Sequence, residues 1–148
     1  AVFNLAAGSY FIRIENNDGG AVRSTNADLT ASTSPSWSTS AGSLGTFSAG
    51  STISGLNVQA SSDSNVTITE TTSVLTSNSN TPATTMNLTL SGSPASSATY
   101  TISGTAPSPT SNQTYNFTLR ATDAEGQTAD RAFSITISVG ATGGGRFN

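Results

Sequence analysis

Two runs near the end of the sequence constrain its fold more than anything else in it. Across residues 115–122, Tyr115, Phe117, Leu119 and Ala121 alternate with Asn116, Thr118, Arg120 and Thr122. After the turn-forming cluster Asp123-Ala124-Glu125-Gly126, the alternation resumes with Phe133, Ile135, Ile137 and Val139. A period of two places every second side chain on one face, so each run presents an apolar face and a hydroxyl-rich one, as a half-buried β-strand does. Helical spacing is sustained nowhere, and the chain is predicted to be all-β.

Shorter runs of the same kind lie upstream, at residues 56–60, 66–69, 86–90 and 100–102, separated by turn-forming residues. About seven strands in about 105 residues fit an immunoglobulin-like β-sandwich, in which two sheets bury one face each against the other. Trp37, the one tryptophan, opens this unit behind the linker-like Ser32-Thr33-Ser34-Pro35-Ser36, so the sandwich is assigned residues 35–139. Residues 1–34 form an N-terminal extension. It carries the strand Tyr10-Phe11-Ile12-Arg13-Ile14-Glu15, the turn Asn16-Asn17-Asp18-Gly19-Gly20, and a weaker return strand from residue 21 to about residue 30. Asp-Gly between two such runs signals a hairpin, because glycine accepts the positive φ that tight hairpin turns require. A lone hairpin is marginal in water, so Tyr10, Ile12 and Ile14 are expected to be assembly contacts. Residues 140–148 are a Gly-rich tail, and Arg146 and Phe147 within it are expected to dock on a neighbouring subunit.

Composition narrows the chemistry. Hydrophobic residues make up 34% and charged residues 9%, while Ser, Thr and Asn together supply roughly two-fifths of the chain. Net charge is −3, there is no Lys, and the five Arg are scattered, which leaves no basic footprint for gripping phosphates and argues against a nucleic-acid partner. With no Cys and no His the sequence has no disulfide, thiolate, zinc-finger or imidazole chemistry. A serine nucleophile needs an activating base, and His and Lys are both absent. No enzyme activity and no cofactor are expected. Nor is membrane insertion, since no apolar run approaches the roughly 20 residues a spanning helix needs.

The segment Trp37-Ser38-Thr39-Ser40-Ala41-Gly42-Ser43-Leu44-Gly45-Thr46-Phe47, the strand Ile102-Ser103-Gly104-Thr105, the run from Tyr115 through Gly126 and the closing Phe133-Ser134-Ile135-Thr136-Ile137 form a combined pattern. Over residues 35–139 it resembles the cadherin-like, immunoglobulin-type modules of bacterial surface proteins and bacteriophage structural proteins. Gly8-Ser9-Tyr10, Asn17-Asp18-Gly19 and Ala27-Asp28-Leu29-Thr30 are similar to the last hairpin of an IPT/TIG-like domain. The resemblance implies a non-catalytic module on a virion surface: a capsid decoration, fibre or tail appendage bound to other virion subunits and to copies of itself. The alternatives are a bacterial cell-surface adhesion module with a host-surface glycan as partner, and an accessory domain of a secreted hydrolase.

Cadherins bind calcium at domain junctions, so the acidic turns are candidates for that chemistry. Asp123, Glu125 and Asp130 lie near one hairpin, and Asp63 sits where the wider family often carries the first of two acids. Calcium takes about six to eight oxygens from converging groups, and in Asp63-Ser64-Asn65-Val66 the second acid is missing. The favoured reading is therefore solvated turn acids and no metal. Glu70 and Asp123 are the pair one would nominate for glycoside hydrolysis, but neither sits in a recognisable context. Arg120 is expected to pair across strands with the Asp130-Arg131 segment. Tyr100 is expected in the core or at an edge rather than in a sugar-stacking platform. The sequons at Asn65, Asn87 and Asn116 are expected by chance in so Asn- and Thr-rich a chain.

Overall fold

A computed structural model describes residues 8–14, 23–29, 33–76 and 85–140. Contacts divide the chain into two compact units, Ala1–Thr33 and Ser34–Asn148. Every regular element among the described residues is a β-strand.

In the first unit, β1 (Gly8–Ile14) and β2 (Arg23–Leu29) pair antiparallel in unbroken register, from Gly8 opposite Leu29 to Ile14 opposite Arg23. Residues 21 and 22 of the expected return strand lie outside the described residues. The Asn16–Gly20 turn expected from sequence lies outside the described residues.

The second unit is an immunoglobulin-like β-sandwich. Its strands are β3 (Ser36–Trp37), β4 (Gly42–Ser48), β5 (Thr52–Glu70), β6 (Thr89–Gly92), β7 (Ala95–Thr105), β8 (Gln113–Thr122) and β9 (Thr128–Ser138). β5 serves both layers. Its first part pairs with β3 and β7, and β6 completes that ladder. Its last residues, from Thr67 to Glu70, pair with β8, followed by β9 and then β4 in parallel. The change of layer falls at the register shift between Ser61 and Val66, where extra residues bend the strand away from its first partner.

Alternation then fills the space between the layers. Val58, Val66 and Ile68 from β5, Ile102 from β7, Phe117 and Leu119 from β8, and Phe133, Ile135 and Ile137 from β9 are all buried. Trp37 closes one side of this core. Its ring meets Phe133 edge-on at 5.5 Å and 68°, and its indole N–H donates to the Ala129 carbonyl at 3.0 Å.

Two readings need correction in detail. The run at 86–90 is not one strand, because β6 starts only at Thr89. Asn87 takes a positive φ of 57°, and the backbone on either side bonds instead to the preceding loop, Met86 N–H to the Val74 carbonyl at 2.7 Å and Leu88 N–H to the Leu75 carbonyl at 2.9 Å. β3 and β4 carry no clear alternation in the sequence. β4 is mostly Gly, Ser and Thr, carries a register shift between Ser43 and Thr46, and leaves Leu44 and Phe47 only partly covered.

Candidate functional site

The layer change in β5 places residues 62–65 beside the turn joining β8 to β9, and three acids meet there. One carboxylate oxygen from each of Asp63, Asp123 and Glu125 lies within 4.8 Å of the others. Asp123 is buried, while Asp63 and Glu125 are exposed.

Hydrogen bonds explain the convergence. Asp123 Oδ1 accepts from the backbone N–H groups of Glu125, at 3.1 Å, and Gln127, at 2.8 Å. The turn also closes through Asp123 N–H to the Gln127 carbonyl at 3.0 Å and Gly126 N–H to the Asp123 carbonyl at 3.1 Å. Gly126 sits at φ 84°, a conformation other residues adopt only with strain. Ser62 Oγ lies 3.0 Å from Asp63 Oδ1 and 3.4 Å from Asp123 Oδ2. Ser64 Oγ donates to Glu125 and accepts from the Ala124 N–H at 3.2 Å. The hard oxygen donors suit a calcium-type ion in kind. Each carboxylate is also engaged by a hydroxyl or an amide, and the bonds from Ser62 and Ser64 clasp the bend of β5 to the turn between β8 and β9. Ser62 and Ser64, the hydroxyls that make this clasp, carried no signal in a chain so rich in serine.

Asp130 does not join them. It stands directly opposite Arg120 in the β8–β9 ladder, and its two oxygens accept from Arg120 Nε at 2.7 Å and Nη2 at 2.8 Å. This hydrogen bonding holds the Asp130 carboxyl below its ordinary value and raises that of the guanidinium. Arg131 points elsewhere, donating through Nη1 to the Thr39 carbonyl at 2.7 Å.

Glu70 and Asp123 do not form a catalytic pair. With Thr67 opposite Thr122, the two lie four strand positions apart, about 13 Å at about 3.3 Å per residue, against about 5–9.5 Å between glycosidase carboxyls. Glu70 is instead occupied by the loop that follows it. Oε1 accepts from the N–H groups of Val74 at 2.6 Å and Leu75 at 2.8 Å and from Thr72 Oγ1 at 2.8 Å. Oε2 accepts from the N–H and hydroxyl of Thr76, both at 2.9 Å. Burial pushes this carboxyl up, but the donors at Leu75, Thr76, Thr72 and Val74 outweigh it and hold it below the ordinary value. No residue pattern around Glu70 signals this role, nor the full burial of Leu75.

Tyr100 is buried, at 6% exposure, in keeping with a core position. Tyr10, Ile12 and Ile14 are alternate residues of β1, and Arg146 and Phe147 lie outside the described residues. Two shallow surface clefts accompany these features. One, of about 330 Å³, lies over the outer face of β8 and β9 beside Gly42 and Thr72. The other, of about 450 Å³, is bordered by Val74, Pro109 and Tyr115. Neither is lined by a carboxylate or an arginine.

No family model matches the sequence, and no curated protein does. Among solved structures the chain is similar to an endo-fucoidan hydrolase of glycoside hydrolase family 107, with a TM-score of 0.51 and 18% sequence identity over 92% of this chain. The likeness is one of fold. The match spans only 20% of the hydrolase chain.

Proposed function

We propose that this chain is a non-enzymatic structural module displayed on a bacteriophage virion, as a capsid decoration, fibre or tail appendage, joined to other virion subunits and to its own copies through its terminal segments. The reading rests on the contrast between the edges of its two units. In the hairpin, β1 and β2 pair over seven successive positions without a bulge, and the described sheet contains no third strand. Regular, open edges of this length are templates for strand addition by another chain. The sandwich edges are blunted: β3 has two residues, β6 has four, and β4 is irregular, with Gly42 and Gly45 at φ 106° and 143°. The virion setting is supported by the resemblance of residues 35–139 to phage structural modules.

The test is the oligomeric state of the full chain beside that of Ile12→Pro, which removes a ladder donor from β1. Sedimentation is expected to show an assembly that the variant loses, with Trp37 fluorescence unchanged because the sandwich stays folded. A monomeric wild-type chain removes the assembly reading. Antibody labelling of purified phage particles, with the copy number per particle, tests the location.

The likeness to a glycoside hydrolase supports a second reading, an accessory domain of a secreted hydrolase. A glycan-binding adhesion module draws less support. Trp37, Tyr100, Phe117 and Phe133 are buried, and Phe47 and Tyr115 are partly covered, so the described part of the sandwich presents no open aromatic platform for sugar stacking. A glycan array with the full chain separates these alternatives from the virion reading.

A further inference from the structure

The most concentrated polar construction in the sandwich is centred on Glu70, the last residue of β5. Five donors from residues 72–76 converge on its two oxygens at 2.6–2.9 Å. Three are backbone N–H groups, which in any closed loop need a partner. The carboxylate thus does the work that a β-ladder does elsewhere in the sheet. The loop it gathers carries Leu75, which is fully buried, and its carbonyls at Val74 and Leu75 receive the N–H groups of Met86 and Leu88. One side chain therefore fixes the loop, the insertion of Leu75 and the backbone leading into β6.

We propose that Glu70 is an acid-released latch, its ionised carboxylate holding residues 74–76, with the buried Leu75, against the sandwich and its protonation letting them go. Protonation removes the negative charge that makes these hydrogen bonds strong, and on either oxygen it puts a donor where an amide already points. The elements around Glu70 are residues 71–76, residues 85–88 and β8. Their one charged side chain among the described residues is Arg120, engaged with Asp130, so no neighbouring cation competes for control of the latch. Thr71 and Thr72 remain tied to β8 through Thr118. Release is thereby confined to the distal part of the loop.

The sign follows from the geometry. The latched carboxyl holds its proton less tightly than a free glutamate, whose ordinary value is 4.5. The latch is fully closed above that value and weakens as pH falls towards the lowered folded value. Amide hydrogen exchange on the full chain, corrected for intrinsic rates, tests this. On acidification, protection at Val74, Leu75 and Thr76 is expected to fall by up to about tenfold for each pH unit between those two values, while the Ile135 amide in β9 stays protected. In Glu70→Gln the same three amides are expected to lose about tenfold or more of their protection already at neutral pH, with little further change on acidification. Unchanged protection in acid while Ile135 remains protected would overturn the proposal. So would a Glu70→Gln chain as protected as the wild type, or loop and core amides that lose protection together in wild-type acidification.

Discussion

Phe117 and Phe133 face each other directly in the β8–β9 ladder, their ring centroids 6.2 Å apart and both side chains sealed from water. Trp37 meets Phe133 edge-on from β3. Strands from three places in the sequence thus converge on one aromatic cluster, in a chain with few large apolar residues to share the burden. Phe117→Ala is expected to cost about 3–5 kcal/mol, from lost burial plus the cavity left behind. Denaturant titration checks this, and a loss below about 1 kcal/mol would mean that the cluster is dispensable.

Gly92 on the edge strand β6 stands opposite Tyr100. A Cβ there would fall 2.6 Å from two ring carbons of Tyr100 and 2.8 Å from the Thr99 carbonyl oxygen. Gly92→Ala is therefore expected to destabilise by about 1–3 kcal/mol through overpacking. The penalty should shrink but not vanish when Tyr100 is also replaced by Val, because the Thr99 carbonyl stays. Chemical unfolding of both variants and of Tyr100→Val supplies the comparison.

The Arg120–Asp130 pair predicts a pH dependence of definite sign. Asp130 is held below its ordinary value of 3.8, so the unfolded chain binds its proton at a higher pH than the folded one. The pair's stabilisation is complete above that value and is lost as pH falls through the lowered folded value. The stability gap between wild type and Asp130→Asn is expected to be widest near neutrality and to close in acid. Unfolding titrations across that range measure it.

Because hydroxyls and amides already engage Asp63, Asp123 and Glu125, millimolar calcium or a chelator is expected to leave the melting temperature unmoved. Asp123→Ala, by contrast, strips partners from the Glu125 and Gln127 amides, and is expected to cost about 1–3 kcal/mol. A calcium-dependent rise in the wild-type melting temperature that Asp123→Ala abolishes would show that the clasp binds an ion.

What the sequence determined by itself is the set of faces. Alternation over 115–122 and 133–139 put Phe117, Leu119, Ala121, Phe133, Ile135 and Ile137 on the core face, together with Tyr115 and Val139, which are only half-buried at the strand ends, because a strand's period is a local property that each residue carries with it. The same period failed for β4, whose glycines and bulge break it, and at Met86 and Leu88, which are buried without belonging to a strand. The tertiary structure alone decided which acids meet. Asp63 reaches Asp123 and Glu125 across some sixty residues of sequence, and Asp130, only seven residues from Asp123, is drawn off by Arg120. It also decided that Glu70 secures a loop. Partners for polar side chains are chosen by which backbone groups the fold leaves unpaired nearby, and that is settled only when the two layers close.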